Sequence, residues 1–281
     1  MPDITARMLA PRLAESLGQT VVVDNRPGGG GVLGSRLVAE ATPDGHTLLV
    51  TSSSHAFAPA VHAKLPYDTL ADFTGIARTS TASYVLVVPP SLGIASVKDL
   101  LAVARAKPGQ LNFASAGVGS GTHFAGEMLK FAARLEVVHV PYKGIPEALT
   151  DTMTGRVQFF MSPLASAIAL VKEGKLRALA VSAPNRVAPY PDVPTIAEAA
   201  LPGYRFGSWT GFLAPARTPR AIVNTLNREI VRHIAAPDVM QRLASFGAEL
   251  APTTPVEFDK FVAGEVQLAA QLARQAGIKP E

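Results

Sequence analysis

Two hydrophobic periods alternate along most of this chain. Ile4, Met8, Leu9, Leu13 and Leu17 recur at the spacing of one helix face, and Gly18 ends that run. The β-branched run 20–23 reads as a strand, 25–30 as a turn and 32–41 as a helix. Pro43-Asp44-Gly45 is a turn signal ahead of a strand over 47–51. Ile76 and the run 85–88 predict two more strands, and Pro89-Pro90 interrupts. The rhythm then restarts: helix 97–106, strand 111–114, helix 124–133, strand 137–140, helix 146–153, strand 157–161, helix 164–171, strand 176–181. A second break, rich in Ala and Pro, covers 213–219. Beyond it the pattern is helical over 220–234, 238–246 and 256–275, with no internal repeat.

Alternation of this kind predicts an α/β fold of βα units, with mostly parallel sheets and helices on both faces. A helical tail without a sheet of its own is expected to fold back onto the first block. Lobe one is then discontinuous, 1–92 and 214–281, around a second lobe of 93–213. Crossings near Pro89 and Ala214 form a two-crossing hinge, and such proteins bind ligands between the lobes, at strand carboxyl ends.

Composition narrows the function. The chain has 281 residues, 48% hydrophobic and 17% charged, which excludes a disordered protein. It has no cysteine, hence no disulfide and no thiolate nucleophile. The most apolar stretch, 157–171, is cut by Gln158, Ser162 and Pro163, short of the roughly 20 apolar residues of a membrane span. The net charge of +4 is scattered, so no nucleic-acid face is expected; a mild positive field suits a small anion. Met1-Pro2-Asp3 leads straight into a helical pattern, with no signal peptide ahead of it.

Three segments carry candidate chemistry. Gly29-Gly30-Gly31-Val32-Leu33-Gly34 has dinucleotide-fingerprint spacing in a turn that includes Pro27. The next strand, however, ends in Thr51-Ser52-Ser53-Ser54 without the acid that holds a ribose, which favours a structural turn. Ser115-Ala116-Gly117-Val118-Gly119-Ser120-Gly121-Thr122-His123 follows a strand and opens a helix. Its glycines, hydroxyls and helix N-terminus suit a carboxylate or phosphate; a helix cap with nothing bound is the plainer alternative. It is neither a P-loop nor a nucleophile elbow. The serines at 52–54 lie at a sheet edge as a second lip of the cleft, or as a polar loop.

The six histidines, His46, His55, His62, His123, His139 and His233, have no metal-ligand spacing, so neither metal nor cofactor is expected. Ser120 and His123, neighbours at one helix start, meet poorly as nucleophile and base. Lys143, after Pro141-Tyr142, either counters an anion or is solvated. Trp209, the single tryptophan, either walls the ligand or packs at the hinge.

Taken together, several segments resemble one family: Val22-Val23-Asp24-Asn25-Arg26-Pro27-Gly28-Gly29-Gly30, Pro43-Asp44-Gly45-His46-Thr47-Leu48-Leu49, Ser115 through His123, Val140-Pro141-Tyr142-Lys143-Gly144, Leu179-Ala180-Val181-Ser182, Pro191-Asp192-Val193-Pro194-Thr195, and Gly211-Phe212-Leu213-Ala214-Pro215 with Thr218-Pro219. The chain resembles the substrate-binding proteins of tripartite tricarboxylate transporters, the Bug-type periplasmic receptors. The resemblance implies a two-lobed periplasmic-binding-protein-like fold (type II) with two mixed or parallel sheets. It implies a periplasmic monomer that closes on a small mono- or dicarboxylate and delivers it to a membrane permease. The implied ligand-binding residues are Ser53, Ser54 and Ala58 on one lip, Ser115, Gly117, Gly119, Ser120, Gly121, Thr122 and His123 on the other, and Ser162 at a strand end where many relatives carry an acid.

Such receptors begin with a signal peptide, a first strand and a Pro-Pro-Gly-Gly loop that grips the carboxylate. This sequence starts where that loop ends, with Asp3 matching the acid after it. Weak binding and disorder before about Thr20 are therefore expected. An enzyme using the same cleft, a nucleotide-dependent oxidoreductase or a hydrolase, is the competing function.

Overall fold

A computed structural model describes residues 1–26, 28–188 and 190–280. Its elements, in chain order, are α1 (Pro2–Leu17), α2 (Val32–Ala39), β1 (Leu49–Ser52), α3 (Ser53–Val61), β2 (Phe73–Val88), α4 (Val97–Ala106), β3 (Asn112–Ser115), α5 (Gly121–Ala133), β4 (Val138–Pro141), α6 (Ile145–Met153), β5 (Phe159–Pro163), α7 (Leu164–Lys172), β6 (Arg177–Val181), α8 (Ile196–Ala199), β7 (Gly207–Pro215), α9 (Arg220–Ile234), α10 (Pro237–Ser245), β8 (Ala248–Leu250) and α11 (Pro255–Ala276). Local chemistry sets many of these bounds. The Ser96 side chain accepts the Asp99 N–H to start α4, whose Val97, Leu100, Leu101 and Ala104 are buried. Thr254 and Glu257 form a capping box ahead of α11. Gly18, left-handed at φ 65°, closes α1.

The fold is a two-lobed α/β structure in which two sheets share one strand. β2 is a single strand of 16 residues, where two separate strands were expected. Its residues from Phe73 to Ser83 pair antiparallel with β7, which in turn pairs with β1; β8 pairs with β2 at Ser80–Ala82. From Tyr84 to Val88 its partners are β5 and β6, both antiparallel, and β3 lies parallel to β5 and to β4. The change of partners falls between Ser83 and Tyr84, earlier than the expected crossing near Pro89. The second connection enters at Gly207, which pairs with Ser83, while Phe206 N donates to Ser182 O; the expected crossing near Ala214 lies inside β7. The prolines and small residues near 89 and 214 lie away from the places where the strands change partners.

Other expectations are corrected. Among the described strand pairs only β3–β4 and β3–β5 are parallel, because the connecting strands β2 and β7 impose antiparallel pairing on both sheets. The tail does own a strand, β8. α9 covers the first half of β2, α1 packs on α9, β1 and β7, α10 packs on β8, and α11 lies against both α3 and α5. α1 is ordered: Leu9 and Leu13 are buried in one cluster with Val223 and Ile230 of α9.

Residues 20–23 form no strand; Val22 is 78% exposed. A groove of about 1080 Å³, lined by Leu13, Leu17, Val21, Val23 and Leu48 among others, runs between this segment and β1. Among the described residues β1 pairs with β7 alone. The main core is continuous between the lobes, with Phe57 of α3 and Phe124 of α5 at 4.5 Å between ring centroids.

Candidate functional site

β3 ends at Ser115 and α5 begins at Gly121, so the intervening loop sits where strand, turn and helix N-terminus meet. Gly117 (φ 111°) and Gly119 (φ 77°) take conformations that favour glycine. The loop's hydroxyls are all engaged with its own atoms. Ser120 Oγ donates to Gly117 O at 2.7 Å and accepts the His123 N–H at 3.2 Å. Thr122 Oγ1 accepts the Ala116 N–H at 2.8 Å and lies 2.9 Å from Ser120 Oγ. Ser115 Oγ accepts the Gly117 N–H at 3.1 Å and lies 2.6 Å from His139 Nε2. The N–H groups of Val118, Gly121 and Thr122 have no partner among the described residues. Two of them are the first N–H groups of α5, where the helix dipole favours an anion.

The loop is held against the rest of the molecule by close packing. A Cβ on Gly119 would stand 2.8 Å from Val61 Cγ2 of α3, and one on Gly121 would collide with the Tyr84 hydroxyl at the partner switch of β2. The three candidates on the facing lip are placed differently from one another. Ser53 is buried, donates to Ser208 Oγ at 3.2 Å and accepts the Trp209 N–H at 3.3 Å. Ala58 is buried inside α3. Ser54 is half-buried, beside Gly31 of the glycine turn and 3.3 Å from Ser52 Oγ. In that turn Gly30 and Gly31 have positive φ and lead into α2; Pro27 lies outside the described residues. Ser162 is buried opposite Val85, its hydroxyl donating to Pro163 O at 3.1 Å.

Lys143 is exposed. Trp209 packs edge-on against Phe258 and Phe261 of α11 and donates from Nε1 to Glu265 at 3.2 Å. No group of three or more His, Cys, Asp or Glu among the described residues is placed to hold a metal ion.

Sequence reasoning missed the layer behind the loop. His139 comes from β4, which pairs parallel with β3 so that Phe113 and His139 are neighbours in register. Its ring stacks on His123 at 3.9 Å, and His123 Nδ1 accepts the Gly119 N–H at 3.2 Å. Only that strand pairing brings these residues together; no short motif signals it.

Burial lowers the pKa of His139 to about 4; burial, helped by the neighbouring His139 and Lys130, lowers that of His123 to about 3. His55, in the core between Tyr67 and Phe73, is lowered to about 4 by burial. Well above pH 6.5, from about pH 7.5 up, neither the folded nor the unfolded chain protonates these rings. Below it the unfolded chain binds protons that the fold rejects, so stability falls as pH drops toward the folded values. Each ring contributes at most roughly 1.4 kcal/mol per pH unit. Glu127, Asp259 and Glu265, raised by burial, oppose the loss once carboxyls begin to titrate. The steepest fall in melting temperature is therefore expected between about pH 6.5 and 5. A melting temperature that stays flat across that window would contradict the neutral histidines.

The comparisons agree with this architecture. The model of the tripartite tricarboxylate transporter family receptor matches residues 5–278. A UPF0065 protein in the tcbD-tcbE intergenic region of Pseudomonas sp. (strain P51) is 42% identical over 254 residues, covering 90% of this chain and 76% of its own length. Protein BugT of Bordetella pertussis is 34% identical, covering 99% of this chain and 86% of its own. Among solved structures, R. palustris Rpa4515 with adipate superposes with a TM-score of 0.87 at 34% identity, covering 99% of this chain and 94% of that one. MatC (Rpa3494) from Rhodopseudomonas palustris with bound malate gives 0.81 at 32% identity, over 97% and 94%. A match along nearly the whole chain, on a fold already seen to join two sheets through one shared strand, leaves one conclusion: this chain belongs to the tripartite tricarboxylate transporter receptor family.

Proposed function

We propose that this chain is a periplasmic solute receptor that closes on a small carboxylate and presents it, as a monomer, to the membrane permease of a tripartite tricarboxylate-type transporter. The observation that carries the reading is the set of unpaired N–H groups of Val118, Gly121 and Thr122 at the start of α5. Backbone donors of this kind bind an anion without a titratable partner. The adipate and malate held by two relatives make dicarboxylates the first ligands to test. Lobe one comprises residues 1–83 and 207–281, and lobe two 84–206. Ser54 and the adjoining glycine turn supply the facing lip. Ser115, Ser120, Thr122 and Gly117 shape the loop, while Ser53, Ala58 and Ser162 act as support from within the core.

A hydrolase reading gains little from the geometry. His123 Nδ1 is occupied by Gly119, so it is no base for Ser120. Ser115 and His139 do form a close pair, but Ser115 is fully buried. A thermal-shift series with malate, adipate, citrate, acetate and NADH tests the proposal. At least one carboxylate is expected to raise the melting temperature, since a ligand at 100 times its Kd stabilises by about 2.7 kcal/mol. NADH is expected to have no effect. No shift with any carboxylate would overturn the reading.

A further inference from the structure

We infer that neutral His123 is a positioning residue for the ligand loop: by accepting the Gly119 N–H at Nδ1 it fixes the turn from which Val118, Gly121 and Thr122 present their unpaired N–H groups. The functional part of this inference rests on the carboxylate-receptor reading of the loop; the structural part does not.

The geometry dictates the state of the ring. Accepting at Nδ1 at 3.2 Å requires a lone pair there, so the proton sits on Nε2, which faces Glu127 Oε1 at 3.9 Å. A protonated ring would set one N–H against another and release Gly119. His139 stacks on His123 at 3.9 Å with 15° between the rings; His123 is buried and His139 also stacks on Phe113, so a charge on either ring is costly. His139 also grips the loop's first residue through the 2.6 Å contact with Ser115. The loop is thus held at Ser115 by one histidine and at Gly119 by the other.

The groups that face His123 are few. His139 comes from β4; Glu127 and Lys130, 3.3 Å apart, come from its own helix. From α3, β3, β5 and α11 the buried cluster brings apolar side chains to α5, Phe57, Phe113, Phe159 and Leu272 among them. Gly119 itself sits at φ 77°, open to glycine and rarely to other residues, with Val61 filling the space a side chain would need.

Two variants separate the acceptor from the ring. His123→Asn places Oδ1 where Nδ1 stands, without a titratable group; His123→Phe keeps the ring and the stack and removes the acceptor. In the ligand-free wild type, ¹⁵N NMR is expected to show the Nε2–H form of His123, with no titration from about pH 8 to 5.5. The Gly119 amide is expected to be protected from exchange in the wild type and in His123→Asn, and at least about tenfold faster in His123→Phe. Adipate or malate affinity, whichever the wild type binds, should fall at least about tenfold in His123→Phe and recover to within about threefold in His123→Asn. Titration of His123 near pH 6.5, an Nδ1–H form, or unchanged Gly119 protection in His123→Phe would each overturn the inference. If the wild type binds neither acid, the receptor reading fails while the amide exchange still decides the role of His123. If His123→Phe does not fold, the wild-type tautomer and the Asn variant decide it.

Discussion

Gly126→Val is expected to unfold this protein some 6–12 °C earlier than the wild type, by a loss of at least about 3 kcal/mol. Gly126 lies inside α5, where the helix crosses β3. A Cβ there would fall within the ring of Phe113, overlapping Cε2 and Cδ2 and standing 3.1 Å from Cζ. The ring has nowhere to go: Phe113 is fully buried, with His139 at 4.9 Å on one side and Phe159 at 5.7 Å on the other. Overpacking of this kind forces either an off-rotamer ring or a lifted helix. Lifting α5 would also displace the loop at its start, so ligand affinity should fall along with stability. Thermal denaturation checks the first effect. Combining the variant with Phe113→Leu should return part of the loss, because the two changes share one space and are not additive. A variant within about 1 kcal/mol of wild type would mean that α5 slides freely on the sheet.

Replacing Ser120 and Thr122 together by alanine is expected to weaken carboxylate binding at least tenfold, about 1.4 kcal/mol. The sequence suggests that these hydroxyls bind the ligand directly; the structure gives another route to the same loss. Without them the His123 N–H and the Ala116 N–H lose their side-chain partners, while Gly117 O keeps the bonds from Ser115 Oγ and the Ser120 N–H. A lost N-cap contributes roughly 1 kcal/mol, and each stranded polar group roughly 1–3 kcal/mol. Since Ser120 Oγ and Thr122 Oγ1 lie 2.9 Å apart, each single variant already breaks their contact, so the two single losses should sum to more than the double's. Calorimetry with malate or adipate is the measurement. Undiminished affinity in the double variant would remove the loop from the binding site.

Much of this was legible in the sequence where a local rule was at work. α4 and α9 begin and end where their periodicity does, because each buries one face and exposes the other. α3 was not legible. Ser53, His55, Ala56, Phe57, Ala58 and Ala60 are buried all round the helix, so no stripe forms, and Pro59 reads as a breaker. β7 was hidden by Gly207 and Gly211. At Gly211 a side chain would meet Phe258 and come within 3.0 Å of Ala77 O, so glycine there is a packing requirement. Residues 20–23 failed in the opposite sense: the propensity for a strand is present, but among the described residues no strand pairs with them. In the site, the glycine turn and helix start at 115–123 were visible as a string of residue types. The partners that hold that loop, Val61, Tyr84 and His139, come from three other elements and no spacing rule reaches them.

β2 and β7 run side by side from Phe73 to Ser83, and then β2 continues alone into the second sheet. Mechanically this is a leaf spring. The sheet they lie in, with β1 beside β7 and β8 beside β2, bends more readily normal to its face than in its plane, where shear would have to break and shift a whole ladder of hydrogen bonds, by about 3.3 Å for every residue of slip. With β2 anchored in both sheets, and Tyr84 tied to Ser182 through both of its backbone groups at 2.9 Å, sliding and sideways displacement of the lobes are stiff. Ser83, paired with Gly207 beyond the end of β8, is where these strands bend most easily, within the limit set by the core that Phe57 and Phe124 share. A ligand that bridged the lips would hold that bend at one angle, and the lobe surfaces far from the cleft would register its arrival as a rotation and not as a slide.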